Sequence, residues 1–244
     1  MLQAVTFDFW NTLFVDRRGH EREVVRAAVL AAELERARIP ATEGAVQEAL
    51  RGSWDFFDRI WLHEHRTPVC AELVDTILAS LGARLGEAAR ERIVDRFERM
   101  VLELPPEPTP GVVYTMPRLR ERYRLAVICD TGYSPGVVLR ELLDRHCLLP
   151  LFDYAFFSNE HHMSKPDVRV FRATLDELEA RAGEAAHVGD MQRTDIAGAQ
   201  AAGMSAVHFV GVNNHDAARS TADVVVRHFE ELPGALGSLV CAGC

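Results

Sequence analysis

Apolar and polar residues along the chain follow two different spacings, one early and one late. The first apolar run, Val5–Phe9, is short and rich in β-branched and aromatic residues, which predicts a buried strand with Asp8 near its carboxyl end. From residue 16 to residue 104, apolar residues recur at helical spacing instead. The pattern therefore predicts one strand followed by a long helical insertion.

Four amphipathic helices are predicted within this insertion, because capping and breaking residues interrupt the apolar pattern. The first helix ends at Pro40 and the second begins after the N-cap Thr42. The third begins at Thr67 and Pro68, as N-cap and first helical residue, and the fourth ends before Pro105. Four such helices with short joints predict a small bundle.

One face of the second predicted helix is aromatic, with Trp54, Phe57 and Trp61 at helical spacing. A stripe of this kind is more often the core of a bundle than the lining of a substrate cavity. We therefore expect the stripe to be core. Trp54 and Trp61, with His161 and His162, are kept as weaker candidates for substrate contact.

The spacing changes after the proline-rich stretch from Pro105 to Pro110, which predicts a hinge. Short apolar runs then alternate with helical segments, and alternation of this kind predicts an α/β fold in which helices cover both faces of a parallel sheet. We expect a core domain of residues 1–15 and 109–244 and a helical domain of residues 16–108. The runs lie at residues 125–128, 154–157, 186–188, 206–210 and 222–226.

Chemically reactive side chains follow these predicted strands or begin the next helices. Asp8, Asp130 and Asp190 come at or just after strand ends, whereas Lys165 and Asp195 lie where helices begin. The carboxyl ends of parallel strands meet at one edge of a sheet, so these residues are expected to lie together. Asp8 is then a candidate nucleophile or metal ligand, although an Asp in this position also suits a turn cap.

Composition and charge narrow the class of protein. The 244 residues are 48% hydrophobic, enough for a substantial core, and the net charge of -9 argues against binding to nucleic acid or to an anionic membrane. No apolar run approaches the roughly 20 residues that span a bilayer, and a strand begins where a signal sequence would lie, so we expect a cytoplasmic protein.

Lysine and cysteine usage adds two points. Lys165 is the only lysine among 27 basic residues, which indicates a position that needs a compact point charge instead of the planar guanidinium of arginine. The five cysteines are an odd set, which fits reduced thiols. Cys241 and Cys244 form a CxxC without nearby partners for a zinc site, and we expect a frayed tail there.

Four segments in fixed order now carry a resemblance. They are FDFWNTL around Asp8, ICDTG at residues 128–132, SKPD with Lys165, and GDMQRTD with Asp190 and Asp195. With the helical insertion between the first and second segments, the chain resembles the haloacid dehalogenase-like hydrolase superfamily, whose members carry a helical cap. The resemblance implies a Rossmann-like, doubly wound parallel sheet and a small phosphorylated molecule as substrate.

The resemblance also implies a role for each matching residue. Asp8 would attack phosphorus and form an aspartyl-phosphate, and Lys165 would hold Asp8 and the phosphoryl oxygens together. Mg²⁺ would be bound by Asp8, the backbone carbonyl of Trp10 and Asp190, with Asp195 supporting the site directly or through water. The implied substrate-binding residues are Trp10, Asn11, Cys129, Asp130 and Thr131.

Two positions depart from the pattern of the superfamily. Trp10 stands where its phosphatases usually carry a second Asp, which protonates the leaving oxygen; loss of such help slows transfer by about 10²- to 10⁴-fold. Cys129 stands where Ser or Thr is usual, and a thiol is a weak donor, so phosphate binding would fall to Thr131 and to backbone N–H groups.

Three functions are compatible with this pattern, and we rank them. A slow Mg²⁺-dependent phosphatase comes first. A catalytically weakened binding or regulatory protein with the same fold comes second. A 2-haloacid dehalogenase, which needs neither an acid at position 10 nor magnesium, comes third because Asp190 and Asp195 retain the metal-binding acid pair. The sequence predicts neither an oligomeric state nor the identity of the substrate.

Overall fold

A parallel β-sheet forms the centre of the molecule. The computed structural model describes residues 1–239. The strands in chain order are β1 (Ala4–Phe7), β2 (Phe14–Val15), β3 (Glu107–Pro108), β4 (Arg124–Cys129), β5 (Tyr154–Phe157), β6 (Ala185–Gly189), β7 (Ser205–Phe209) and β8 (Val224–Val226). The sheet has six of these strands, in the order β5-β4-β1-β6-β7-β8, and every neighbouring pair is parallel.

Strand β1 lies in the middle of the sheet because both of its faces are apolar enough to be covered. All four of its residues are buried, and it pairs with β4 on one side and β6 on the other. The α-helices of the described residues are α1 (Gly19–Arg36), α2 (Glu43–Glu64), α3 (Cys70–Ser80), α4 (Glu87–Glu103), α5 (Val112–Arg120), α6 (Gly136–Arg145), α7 (Ser158–His161), α8 (Val168–Glu177), α9 (Ala197–Ala201) and α10 (Leu232–Ser238).

Helices cover both faces of the sheet and so confirm the predicted α/β, Rossmann-like fold. Val5 and Phe7 belong to one buried cluster with residues of α5, α6 and α10, and Ala4 belongs to a second cluster with residues of α8 and α9. This division follows from strand geometry, in which alternate side chains point to opposite faces.

Helices α1 to α4 form the bundle between β1 and β4, as the helical spacing predicts. They enclose a hydrophobic cluster of their own that includes Leu30, Val46, Leu73 and Phe97. The chain enters and leaves the bundle through β2 and β3, which pair antiparallel. The proline-rich stretch predicted as a hinge therefore contributes one strand of a two-stranded ribbon.

Three local predictions differ from the structure. Helix α3 begins at Cys70, because the carboxylate of Glu72 accepts a hydrogen bond from the N–H of Val69 at 2.9 Å, and the hydroxyl of Thr67 is instead 2.5 Å from that of Ser158. The helical segment expected to begin at Asp195 begins earlier, with a π-helical turn over Gln192–Ile196. The last strand is shorter than predicted.

Two further predictions concern membranes and the tail. Among the described residues, no helix is long and apolar enough to cross a bilayer. The expected frayed CxxC of Cys241 and Cys244 lies outside the described residues.

Candidate active site

The carboxyl ends of β1, β4 and β6 open into a cavity of about 350 Å³. This volume lies at the lower end of the range for small-molecule sites. The floor of the cavity, as we call it, consists of Asp8, Asp130, Lys165, Asp190 and Asp195 at the sheet edge. The wall, as we call it, consists of residues from α1 and α2 that face the floor, together with Asp16 and Tyr133.

The ammonium group of Lys165 joins the floor together. Its Nζ donates to Asp8 Oδ1 at 2.5 Å, to Asp195 Oδ1 at 2.7 Å and to the carbonyl oxygen of Ile128 at 3.2 Å. The side chain is only 2% exposed. Three acceptors from three chain segments thus converge on one point, which suits the three donors of an ammonium group and explains the only lysine in the chain.

Three carboxylates of the floor form a cluster. Asp8, Asp190 and Asp195 are buried, and one oxygen of each lies within 4.8 Å of the others. Burial, which the ammonium of Lys165 opposes, raises the pKa of Asp8 well above its usual value, and burial next to Asp195 raises the pKa of Asp190 to about 7. Lys165 offsets only part of the negative charge, so this donor set fits a hard divalent cation.

Asp195 is held by hydrogen bonds to both of its oxygens. Oδ1 accepts from Lys165 and from Nε2 of His187 at 3.1 Å, and Oδ2 accepts from the N–H of Met191 at 2.9 Å. Burial alone would raise the pKa of Asp195, but the neighbouring Lys165 and His187 outweigh it and hold that pKa below its usual range. The carboxylate packs so closely over Gly189 that a Cβ there would collide with it.

His187 is a residue of the site that the sequence did not reveal. It is fully buried on β6, and burial lowers its pKa, so the ring is neutral. Because Asp195 can only accept, Nε2 carries the proton, and Nδ1 accepts from the hydroxyl of Thr6 at 2.8 Å. The signal that could have found it is a single polar residue in the apolar run before Gly189 and Asp190.

Asp130 is the residue after β4 that reaches the cavity. Its Oδ1 accepts from the N–H of Lys165 at 3.0 Å and its Oδ2 from Nε1 of Trp61 at 2.9 Å, and burial raises its pKa to about 6. Its neighbours, also predicted to bind substrate, do not line the cavity. Cys129 packs into the core, and both the N–H and the hydroxyl of Thr131 bond to the Ser158 hydroxyl, at 2.8 and 3.0 Å.

Trp10 and Asn11 both line the cavity, as expected of substrate-binding residues. Asn11 has a φ of 57°, the left-handed region that Asn tolerates better than most residues, and its N–H donates to the carbonyl of Phe14 at 2.6 Å. The Trp10 ring meets Phe9 edge to face, with centroids 5.0 Å apart. An indole cannot exchange a proton at neutral pH, so Trp10 supplies no acid here.

The wall corrects the expectation that the aromatic stripe is only bundle core. Phe57 is 8% exposed and packs in the bundle as predicted, with one edge at the cavity. The rings of Trp54 and Trp61, in contrast, line the cavity. The remaining pair of weaker candidates does not line it. His161 stacks on Phe156 with centroids 4.2 Å apart, and His162 follows α7 as its C-cap residue.

Four charged residues of the wall were also missed, because only the packing of the insertion brings them to the cavity. Arg22 pairs with Asp16, and Arg26 donates to Glu23 Oε1 at 2.7 Å. The guanidinium of Arg26 lies 4.1 Å from the ring centroid of Tyr133. The acids of the wall are thus already paired with arginines.

Comparisons with known proteins bear on the family and the fold. The family model for haloacid dehalogenase-like hydrolases matches residues 2–203. A 2-haloacid dehalogenase from Pseudomonas syringae pv. tomato DC3000 is 24% identical with a TM-score of 0.71, covering 97% of this chain and 99% of that one. A HAD phosphatase from Thermococcus onnurineus is 22% identical with a TM-score of 0.68, covering 97% and 98%. These two likenesses concern the fold, and one fold hosts different reactions.

A curated relative is similar over part of its length. The glyceraldehyde 3-phosphate phosphatase of Methanothermobacter thermautotrophicus is 33% identical over 103 residues, which is 41% of this chain. The match spans less than half, 43%, of that relative. The family model, in contrast, covers strands β1 to β6 and the whole bundle, and it includes all four segments that carried the resemblance. The chain therefore belongs to the haloacid dehalogenase-like hydrolase family and is a hydrolase.

Proposed function

We propose that this hydrolase removes phosphate from a small phosphate monoester, in a Mg²⁺-dependent reaction that passes through a phosphoaspartate on Asp8. The observation that carries the proposal is Asp190 in the buried carboxylate cluster with Asp8 and Asp195. An acid cluster with one ammonium group suits a cation and an incoming phosphoryl group, whereas displacement of a halide has no use for it.

The residues that would hold Mg²⁺ are Asp8, the backbone carbonyl of Trp10 and Asp190. Both oxygens of Asp195 already accept hydrogen bonds from protein donors, so we assign Asp195 a supporting role through water. When bound, the ion supplies positive charge that offsets the charge of the transferring phosphoryl group. Every other contribution comes from side chains that line the cavity.

Asp8 presents one oxygen to the substrate. Lys165 occupies Oδ1, and no donor among residues 1–239 bonds to Oδ2, so we assign the attack to Oδ2. The Oδ2–phosphorus bond forms while the bond from phosphorus to the leaving oxygen breaks. Water then attacks the phosphoaspartate, and Asp8 leaves with the electron pair of the broken bond.

Two further residues have roles in this reaction. Lys165 keeps Asp8 in place and offsets charge on the phosphoryl oxygens. The side-chain amide of Asn11 faces the cavity without a hydrogen bond to any other described residue, so it can donate to a phosphoryl oxygen. Because Trp10 cannot protonate the leaving oxygen, we expect turnover to be slower by about 10²- to 10⁴-fold than with an acid at that position.

A 2-haloacid dehalogenase is the other enzymatic candidate, and Trp10 is the observation that favours it. Halide leaves without a proton, so that reaction needs no acid at position 10. The same reaction would leave the acid pair of Asp190 and Asp195 without a metal to bind, and for this reason we rank it below the phosphatase.

One screen separates the two candidates. Phosphate release is measured from a panel of phosphate monoesters with Mg²⁺ and with EDTA, and halide release is measured from 2-haloacids under the same conditions. The phosphatase proposal predicts phosphate release that EDTA abolishes and that is absent in Asp8→Asn. Failure to release phosphate from every ester, activated aryl phosphates included, would refute it, and halide release in EDTA would establish the dehalogenase.

A further inference from the structure

The three tryptophans of the chain all line the same cavity. The sequence contains three, Trp10, Trp54 and Trp61, and they come from the β1 end and from α2. Large aromatic rings beside a cavity bind flat, apolar groups, and they lose little conformational entropy on binding because they have few rotatable bonds.

Hydrogen bonds fix the two rings of the wall. Nε1 of Trp54 donates to Glu23 at 3.2 Å, and Nε1 of Trp61 donates to Asp130 at 2.9 Å. The guanidinium of Arg193 lies 5.0 Å from the Trp61 ring centroid. Trp54 nevertheless stays 36% exposed beside the cavity. The rings are therefore oriented in advance, and their polar atoms already have partners, so what they offer a ligand is apolar ring surface.

The residue at position 10 selects the leaving oxygen on different grounds. Without an acid at position 10, the leaving oxygen departs as an anion. A phenol-type hydroxyl has a pKa of about 10, whereas an alcohol lies nearer to water at about 16, so an aryl oxygen tolerates departure without a proton far better. The missing acid and the aromatic wall therefore favour the same kind of leaving group.

We propose that the substrate is an aryl phosphate, the ester of a hydroxyl group on a flat aromatic ring that lies against Trp54 and Trp61. This inference rests on the proposed phosphatase function. Asp8 Oδ2 bonds to phosphorus as the phosphorus–oxygen bond to the aryl group breaks. The electron pair stays on the aryl oxygen and is delocalised into the ring, and the released aryloxide takes a proton from solvent. Water then hydrolyses the phosphoaspartate.

The first test measures how kcat/KM depends on the leaving group. Substituted phenyl phosphates and ethyl phosphate are compared with Mg²⁺ present, and we expect phenyl phosphate to exceed ethyl phosphate by about 10²-fold or more. Trp10→Asp restores an acid and should narrow that gap by at least about tenfold. Trp10→Asn is the matched control, because Asn is similar in size to Asp but cannot protonate the leaving oxygen as an acid. This variant should keep the large ratio of kcat/KM between phenyl phosphate and ethyl phosphate.

The second test concerns the ring contact. Trp54→Leu should raise KM for phenyl phosphate by about tenfold, Trp54→Phe should largely preserve it, and neither should change KM for ethyl phosphate. Tyr114→Ala, at an aromatic residue that is 82% exposed on α5, is the control away from the cavity. Circular dichroism checks the fold of each variant.

The outcomes separate this inference from the proposed function. Equal kcat/KM for aryl and alkyl phosphates, or an unchanged KM in Trp54→Leu, would overturn the aryl substrate and leave the phosphatase intact. Absence of phosphate release from every ester would overturn both. Trp10→Asn should not narrow the difference in kcat/KM between aryl and alkyl phosphates as much as Trp10→Asp does. Equal narrowing would show that the bulk of the Trp10 side chain, and not the missing acid, sets the preference for aryl phosphates, and it would overturn the leaving-group argument.

Discussion

The floor and the wall of the cavity face each other and are built in opposite ways. On the floor, buried charges satisfy one another: Lys165 alone contacts Asp8, Asp195 and a backbone carbonyl. On the wall, Trp54 and Trp61 present ring surface, and the wall charges are paired at its edge. We infer that the floor determines which bond is broken and the wall determines which molecule is admitted.

The two surfaces are also joined. Trp61 of the wall donates to Asp130 of the floor, and Tyr133, three residues further along, inserts into the hydrophobic cluster of the bundle. A substitution can therefore act on one surface, on the other or on the link between them. The four predictions below use this distinction, beginning with the largest expected effect.

Asp8→Asn removes the candidate nucleophile from the floor and leaves the wall unchanged. We expect kcat for phenyl phosphate to fall by at least about 10³-fold, since loss of an attacking group removes the covalent path. Binding, followed by tryptophan fluorescence, should persist because the wall is intact. Asp75→Asn on α3, which removes an acid from a surface ion pair with Arg90, is the control and should keep full activity. Activity of Asp8→Asn within tenfold of the unmodified protein would contradict the assignment.

Asp190→Asn weakens the floor without removing the candidate nucleophile. The Mg²⁺ concentration that gives half-maximal activity should rise by about 10- to 100-fold, because a neutral amide is a poorer ligand for a hard cation. The hydrogen bond to Asp190 from Asn213 at 2.8 Å can be kept by the Asn amide oxygen, so the fold should be preserved. A Mg²⁺ titration of kcat gives the answer, and an unchanged midpoint would argue that Asp190 does not bind the ion.

Asp130→Asn tests the link through a pH dependence. Burial raises the pKa of Asp130 from 3.8 to about 6, so between these values the folded protein binds more protons than the unfolded chain, and its stability falls as pH rises. The variant lacks this group, so its free energy of unfolding relative to the unmodified protein should increase by about 2 kcal/mol between pH 4 and pH 7. Urea denaturation at several pH values measures this difference in the free energy of unfolding. A difference that does not vary with pH would show that the pKa of Asp130 is not raised in the folded protein.

The floor could be predicted from the sequence because the positions of the strand ends alone determine which residues meet at the edge of a parallel sheet. Asp8 and Asp190 follow short apolar runs, and parallel strands bring their carboxyl ends to one edge wherever the intervening helices lie. This rule predicts which residues lie at the sheet edge, but not the direction in which each side chain points. Leu125, Val127 and Cys129 alternate along β4 into the same apolar cluster, which is why Cys129 packs into the core and the next residue reaches the cavity.

The wall could not be predicted in the same way. Trp54, Phe57 and Trp61 share one helical face in the sequence, but which of them meets the cavity depends on how α2 packs against α1, α3 and the loop that carries Tyr133. No local pattern encodes that packing. Arg26 was missed for the same reason, since its contact with the Tyr133 ring joins residues that are far apart in the chain.

Tyr133→Phe is the smallest change that tests the link between floor and wall. The Tyr133 hydroxyl lies 2.6 Å from that of Ser53, which also donates to the carbonyl of Leu50 at 2.7 Å, so removal of the tyrosine hydroxyl leaves no buried donor unsatisfied. The ring still packs against Trp54 and Phe97. We expect a loss of about 1 kcal/mol in the free energy of unfolding, with kcat unchanged. Ser53→Ala should cost more, because it leaves the buried Tyr133 hydroxyl without an acceptor. The double variant should cost less than the sum of the two single variants, because both changes remove the same hydrogen bond. Additive losses would show that the two hydroxyls do not depend on each other, and that the link rests on ring packing alone.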